Sequence, residues 1–541
     1  MVIDQPSKEI TVPTPIKVES LEKYLEGYPP VSRQYLLEGF SQGFRLMNFN
    51  STPSDRDKNL RTASEHPHVV DSKIKKELNQ GRIMGPFKQS PFQDFVISPL
   101  GLQPKKEEGE FRVIHDLSYP PLKSVNSGIP KSFSTVHYSS VSDAVKAIHK
   151  AGQKCYLAKT DIKSAFRVIP INPKDYHLLG FKWGGLYYFD KCLPMGASSS
   201  CAIFERFSSA LHWIVSQRLK GITIVHVLDD FLFVGPSLES CKFALELFLK
   251  IAEDIGVPIA GEKTMGPSNI LPFLGIQLDT VAMMASLPVE KVQKYIALID
   301  LFLKTNKVTL RQMQSMCGFL NFSCSIIIPA RAFSRRMYNL CVGVTQPFYK
   351  ISLTKQVKMD LLVWRHFLLN YNYRTFLLDF RWVSSPQLDL FTDAASTVGF
   401  GAVFGAKWFH GLWASDCLGK NIALLELYPI CLALYLWGPY LSNKCITLHC
   451  DNQAIVAILN SSTSKDPQIM ILVRKIVLLC MTKNILIHAI YIPSQANYLC
   501  DLLSRDQVSK ARQVGPHLEA VPTPIPKSWL LSSWLKESST Y

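Results

Sequence analysis

Two apolar, β-rich runs meet at a pair of adjacent carboxylates: ITIVHV and FLFVG flank Asp229 and Asp230. A strand, a tight acidic corner and a returning strand make a hairpin with both carboxylates at its tip. Adjacent aspartates by themselves suit an ordinary turn, because Asp hydrogen-bonds readily to turn backbone. The flanking runs argue for more. Buried strands seldom end in neighbouring carboxylates without a counter-ion, since burying an unpaired charge is costly. A third carboxylate, Asp161, follows the upstream apolar run CYLAKT. Three carboxylates can hold two Mg2+ ions, with Mn2+ as a substitute. Such an ion pair clamps the attacking and leaving oxygens of an in-line phosphoryl displacement.

A second acidic set lies downstream. Asp393 closes the strand-like run LDLFTDA, Asp451 closes CITLHCD, and Asp501 sits in ANYLCDLLSR. Taken singly, the strand-end aspartates suit helix caps and Asp501 suits the surface. Glu426 is harder to dismiss, because it is the one charge in the apolar stretch Ala423 to Leu441. That stretch imitates a membrane span, but Glu426, Pro429, Gly438 and Pro439 oppose one. A buried core helix, kinked at Pro429, is expected instead, and no membrane partner. The order strand, hairpin, helix, strand, helices, strand, helix would bring all four acids to one edge of a mixed sheet, again describing a two-metal site.

A chain of 541 residues exceeds one core and implies several domains. Its formal net charge of +16 is either a solubility charge or the mark of a polyanionic partner such as nucleic acid. The basic residues form no tail, which fits a groove lined by several domains. The 13 cysteines include no CxxC pair, and the opening MVIDQPSKEITVP lacks the features of a secretory leader. Reduced cysteines and an intracellular location, in cytoplasm or nucleus, are expected. Helices are expected over Val141–Lys150 and Ser200–Leu219. Leu310, Met313, Cys317 and Leu320 fall on one face of another.

Several motifs together resemble the reverse transcriptase family. TDIKSAF resembles its first palm motif, LPMGASSSCAIF its template and nucleotide motif, and VLDD its metal-binding hairpin. GEKT and FLGIQL resemble the lysine and primer-grip motifs that follow. The resemblance implies that Asp161, Asp229 and Asp230 bind metal. Phe166 becomes the steric gate beneath the sugar, and Lys105, Arg112, Met195, Gly196 and Lys263 become nucleotide contacts. Val227 and Met195 depart from the Tyr and Gln of many relatives. Val308–Leu340 resembles the thumb, where Arg331 and Arg335, four apart, could share a helix face toward nucleic-acid phosphates. Beyond it, Asp393, Glu426, Asp451 and Asp501 resemble the four metal ligands of ribonucleases H. Asn497 precedes the last acid as in that family, and the loop Pro493–Asn497 lacks the His that many carry.

The implied fold class is α+β and α/β: a right-hand polymerase of fingers, palm and thumb, then a ribonuclease H-like mixed-sheet domain. The implied boundaries are an N-terminal extension and linker over 1–70, fingers and palm over 71–285, and thumb over 286–345. A connection over 346–385, a nuclease domain over 386–510 and a loose tail over 511–541 complete the chain. GRIMGPFKQSPF, IKSAFRVIPINPKDYHLLGFKWGGLYYFD and IPSQANYLCDLLSR resemble the DIRS-type retrotransposons in particular. That branch implies an RNA template, a DNA primer, RNA–DNA hybrid and deoxynucleoside triphosphates as partners, with an element-encoded tyrosine recombinase and a capsid-type protein. No integrase or aspartic protease motif is expected. The rival readings are a catalytically inactive or co-opted nucleic-acid-binding remnant, a gypsy-type LTR element polymerase and an RNA-dependent RNA polymerase.

Overall fold

The computed structural model describes residues 12–50, 58–104, 109–372, 374–375, 388–442, 444–483, 485–531 and 533–534. The chain divides into two units. The first runs to Leu274 and includes Leu278–Met283; the second takes Gly275–Gln277 and Met284–Tyr541.

In chain order the first unit contains α1 (Pro30–Gln42), β1 (Leu100–Pro104), β2 (Phe111–His115), α2 (Val141–Ala151), β3 (Tyr156–Asp161), α3 (Ser200–Ser216), β4 (Thr223–Val227), β5 (Asp230–Gly235), α4 (Leu238–Ile255) and β6 (Met265–Ser268). Four of the strands form an antiparallel sheet in the order β4-β5-β3-β6. Phe231, Leu232, Phe233 and Val234 are all buried, so β5 is covered on both faces. Its continuous apolar run therefore belongs to a central strand rather than an amphipathic edge. The helices begin where local chemistry favours it. Ser140 and Asp143 form a capping box ahead of α2, and Ser237 with Ser240 does the same for α4. Ile16, Leu36, Phe40, Phe44 and Leu46 enter the same core as Phe204 and Phe231. Residues between Ile16 and Leu46 of the expected N-terminal extension thus contribute side chains to the palm's hydrophobic core.

The second unit contains α5 (Leu310–Ser323), α6 (Arg335–Cys341), α7 (Lys355–Asn370), β7 (Asp389–Ala394), β8 (Gly399–Phe404), β9 (Lys407–Leu412), α8 (Ile422–Leu436), β10 (Cys445–Cys450), α9 (Pro467–Lys483), β11 (Leu486–Tyr491) and α10 (Tyr498–Ser504). Leu310, Met313, Cys317 and Leu320 are buried along α5, as their spacing requires. A five-stranded sheet runs in the order β9-β8-β7-β10-β11. β7, β8 and β9 are antiparallel, whereas β10 and β11 run parallel to β7. This is a ribonuclease H-like mixed sheet, and the fold class is the one expected. Every residue of α8 from Ala423 to Leu434 is buried, and the helix runs through Pro429 without ending. Among the described residues no helix is long and apolar enough to cross a membrane.

Two expectations need correction here. Arg331 lies in a 3-10 turn (Ile328–Phe333) and Arg335 opens α6, so the two do not share one helix face. Ser334 between them ends the turn. It is Arg336 that turns inward, donating to the buried Asp360 of α7 at 2.9 Å. Arg474 of α9 lies 3.8 Å from the same carboxylate, tying α6 and α7 to the helix layer on the mixed sheet. The tail after residue 510 is not loose over its described length. Trp408 Nε1 donates to the Glu519 carbonyl at 2.8 Å and the Tyr428 hydroxyl to the Trp529 carbonyl at 3.0 Å. Leu518, Leu531 and Trp534 are buried. Its Pro-rich composition reflects an extended strap whose few large side chains anchor it.

Candidate active sites

β3 and β5 are antiparallel neighbours, and their register sets Asp161 directly opposite Asp230. Val227 pairs with Asp230 across β4 and β5, which leaves Leu228 and Asp229 as a two-residue turn. Leu228 holds φ at +53°, in the left-handed region that costs a branched side chain about 1–2 kcal/mol. The Asp229 carbonyl accepts from Ile162 N at 3.1 Å, just past the end of β3. The three carboxylates thus converge at one end of the sheet. Burial, then the charge of Asp161, pushes the Asp229 carboxyl up to about 6, and the same causes raise Asp230. Lys263 Nζ lies 2.9 Å from Asp161 Oδ2. Burial opposes its charge, but the hydrogen bond and charge of Asp161 win and hold its pKa above the usual lysine range. Three converging carboxylates, with Asp229 and Asp230 raised by burial and then by the Asp161 charge, form the donor set a hard divalent cation takes.

Of the expected nucleotide contacts, Lys263 reaches this end of the sheet directly. Phe166 follows Ser164, whose left-handed backbone turns the chain after β3. Its half-buried ring packs on Phe204 of α3, centroids 5.3 Å apart. The next residue, Arg167, is held by Asp190 at 2.6 Å and Glu77 at 2.9 Å, which fixes this turn from behind. Met195 is half-exposed, and Gly196 has a steric reason to be glycine: a Cβ there would sit 2.0 Å from the His115 carbonyl. Arg112 is exposed on β2. Lys105 lies outside the described residues.

The acids of the second set converge for an equally simple reason. β7 and β10 are parallel neighbours, with Phe391 beside His449, so Asp393 and Asp451 emerge at the same edge. Glu426 reaches that edge from α8. Its Oε2 lies 3.8 Å from Cys450 Sγ, and donor atoms of Glu426, Cys450 and Asp451 all lie within 4.8 Å of one another. Asp501 projects from α10, where Arg505 Nε donates to it at 2.8 Å. Ser504 donates to Asp393, and the buried Asn497 donates to the Thr392 carbonyl at 2.9 Å, pinning α10 to β7. Burial, then the charges of Asp393 and Asp451, drives Glu426 up to about 8. Burial, followed by opposing effects of Ser504 and the neighbouring acids, leaves Asp393 raised to about 6. Asp451 Oδ1 is buried without a hydrogen-bond partner among the described residues. Crowded carboxylates with an unpartnered oxygen fit a divalent cation; Glu426 and Asp451 lie closest, Asp393 acts on Glu426 by its charge, and Asp501 acts on Asp393.

A family profile described as "Reverse transcriptase (RNA-dependent DNA polymerase)" matches residues 104–278, the segment that holds Asp161, Asp229, Asp230 and Lys263. Residues 104–278 are a reverse transcriptase domain. Relatives in sequence include the Pro-Pol polyprotein of feline foamy virus, 24% identical over 210 residues. That match covers 38% of this chain and 17% of the relative. Protein P of duck hepatitis B virus (isolate white Shanghai duck S31) is 32% identical over 123 residues, covering 22% of this chain and 15% of the relative. The chain therefore spans under a fifth of either curated relative. A foamy viral protease-reverse transcriptase solved with double-stranded DNA overlays 90% of this chain and 84% of its own, at 15% identity and TM-score 0.49. At that similarity the fold rests on the strand order and register described above.

Two side chains of the reverse transcriptase domain support the site and escaped sequence reading. Asn126 donates to the Gly196 carbonyl at 2.9 Å and accepts from Ser198 N at 2.8 Å, clamping the nucleotide motif. Its position in a Pro- and Gly-punctuated loop carried a signal of irregular backbone but not of its partner. Glu205 sits beside Arg206 on a helix with several polar residues, so it carried no such signal as the lone charge Glu426 did.

Proposed function

We propose that the chain is an RNA-directed DNA polymerase with ribonuclease H activity, encoded by a DIRS-type retrotransposon. The observation that carries the reading is the cross-strand pair Asp161 and Asp230, with Asp229 at the adjoining turn, inside the reverse transcriptase domain. Bound Mg2+ would activate the attacking hydroxyl and offset charge on the departing pyrophosphate. Asp161, Asp229 and Asp230 are the residues that would hold it. In the reaction the primer 3′-oxygen bonds to the α-phosphorus of a deoxynucleoside triphosphate, and the bond to pyrophosphate breaks. Lys263 supplies a positive charge and a proton on the leaving-group side. Phe166, braced by Phe204, denies space to a 2′-hydroxyl. Arg112 and Lys105 offer phosphate contacts, and Met195 and Gly196 border the base.

The nuclease reading rests on the convergence of Asp393, Glu426, Asp451 and Asp501 at one edge of the mixed sheet. There a water oxygen would add to a phosphorus of the RNA strand, and the ribose 3′-oxygen would leave. The template, primer and hybrid partners follow from this pair of activities. The tyrosine recombinase and capsid-type partners, and an intracellular setting, follow from the DIRS-type assignment, which the quoted sequence segments support. Primer extension on an RNA template with Mg2+, comparing deoxy- and ribonucleotides, tests the polymerase. Cleavage of the RNA strand in a hybrid tests the nuclease. Purified chain inactive in both would refute the proposal and favour a binding remnant.

A further inference from the structure

The Leu228–Asp229 turn is strained, and its strained residue is held by a side chain from another element. Glu205 lies on α3, with a side chain only 16% exposed. Its Oε2 accepts the Leu228 backbone N–H at 3.3 Å. Its Oε1 lies 3.0 Å from His226 Nε2, and His226 Nδ1 lies 2.7 Å from His212 Nδ1. One assignment satisfies every atom: His212 donates to His226, His226 donates to Glu205, and Leu228 donates to Glu205. The carboxylate thus joins the strand leading into the turn to the turn itself, and anchors both to the helix behind them. The preceding residue on that helix, Phe204, packs against Phe166. Adjacent positions of α3 therefore support the metal side and the sugar side of the same site.

We propose that Glu205 is a positioning residue for nucleotide addition: with His226 and His212 it fixes the left-handed Leu228 and so sets where Asp229 and Asp230 present their carboxylates. This rests on the polymerase reading. A backbone residue kept in a sparsely populated conformation persists only where its surroundings over-determine it. Without an acceptor at Glu205, Leu228 can relax toward extended backbone, and the two aspartates move with the turn. Substrate binding through β2 and the nucleotide motif does not pass through this contact.

Three variants test the proposal by primer extension under single-turnover conditions, with far-ultraviolet circular dichroism and primer-template binding measured alongside. Glu205→Met keeps the volume and removes both acceptors. It should lower the rate of nucleotide addition roughly 10- to 100-fold, the usual cost of misplacing reacting groups by about an ångström. It should also raise the Mg2+ concentration needed for half-maximal rate, while the nucleotide KM and primer-template affinity stay at parent values. Glu205→Gln keeps an oxygen for Leu228, and its amide can donate to His226 once both imidazoles change tautomer. It should therefore recover most of the rate. Asp229→Asn reports on the reading beneath. If Asp229→Asn extends primers as the parent does, the polymerase reading fails. If it is inactive while Glu205→Met matches the parent, or while the Gln and Met variants are equally slow, the positioning role is overturned.

Discussion

Glu426 offers the most quantitative test of the nuclease centre, because its burial has a predictable thermodynamic cost. It is 7% exposed, lies in a wholly apolar helix and is pushed from 4.5 to about 8 by burial and by Asp393 and Asp451. A carboxyl whose pKa is raised on folding holds a proton that the unfolded chain has released. The penalty is absent below the unfolded pKa and grows as pH rises toward the folded value. At about 1.36 kcal/mol per pH unit, it amounts to about 3 kcal/mol near pH 7 and less than about 1 kcal/mol near pH 5. Glu426→Gln carries no such penalty. Its stability advantage over the parent, in EDTA, should therefore grow by about 2–3 kcal/mol between those two pH values. Urea denaturation at both pH values, followed by fluorescence of the buried Trp408 and Trp437, measures this directly. Added Mg2+ should stabilise the parent more than the variant, since a ligand has been removed. Hybrid cleavage should fall by orders of magnitude in the variant while primer extension survives. Parallel pH dependences in EDTA, or an equal Mg2+ effect on both proteins, would refute the reasoning.

Three further outcomes are expected. Asp229→Asn should reduce Mg2+-dependent primer extension by orders of magnitude and leave hybrid cleavage at the parent rate; equal extension would sink the assignment. Phe166→Ala should raise ribonucleotide incorporation relative to deoxynucleotide in single-nucleotide kinetics, because the ring braced by Phe204 no longer fills the space a 2′-hydroxyl needs. An unchanged ratio would leave Phe166 a packing residue. Binding of an RNA–DNA hybrid should weaken steeply with salt, and Arg331→Ala should lower the slope of log affinity against log salt by about one unit. Arg335→Ala should change it less, since Arg335 is half-buried with Nε out of solvent. Equal slopes in parent and Arg331→Ala would return Arg331 to an ordinary solvated residue.

The carboxylates were legible because each ends an apolar run, and chemistry that ends a run is visible without knowing its partners. Asp161, Asp229, Asp393 and Asp451 all have this form, and adjacent strands then deliver each pair to one edge of its own sheet. The support around them was not legible. Whether Arg331 and Arg335 share a face depends on where Ser334 ends one turn and starts the next, which spacing alone does not reveal. The strap after residue 510 reads as loose by composition, yet Leu518 packs with Val403 and Trp408 of the mixed sheet and Trp534 packs against Tyr428 of α8. Residues 12–50 likewise show only short apolar groups, whose shared core with α3 and β5 is a long-range fact.

Glu205 and Glu426 show why one rule misses half of what it finds. Each is a carboxylate on a core-packed helix, Glu426 as the one charge of α8 and Glu205 beside Arg206 on α3, and each needs compensation for burial. Glu426 is buried among other carboxylates, so its pKa rises, and in the proposed reading a cation supplies its compensation. Glu205 faces donors, the Leu228 N–H and His226 Nε2, so its compensation comes from the protein itself. Sequence reports only the cost common to both. The neighbours decide whether a buried acid binds a metal or holds the turn that does, and those neighbours come from strands and helices distant in sequence. A buried carboxylate on a core helix thus points toward a site, and its partners determine which part of the site it is.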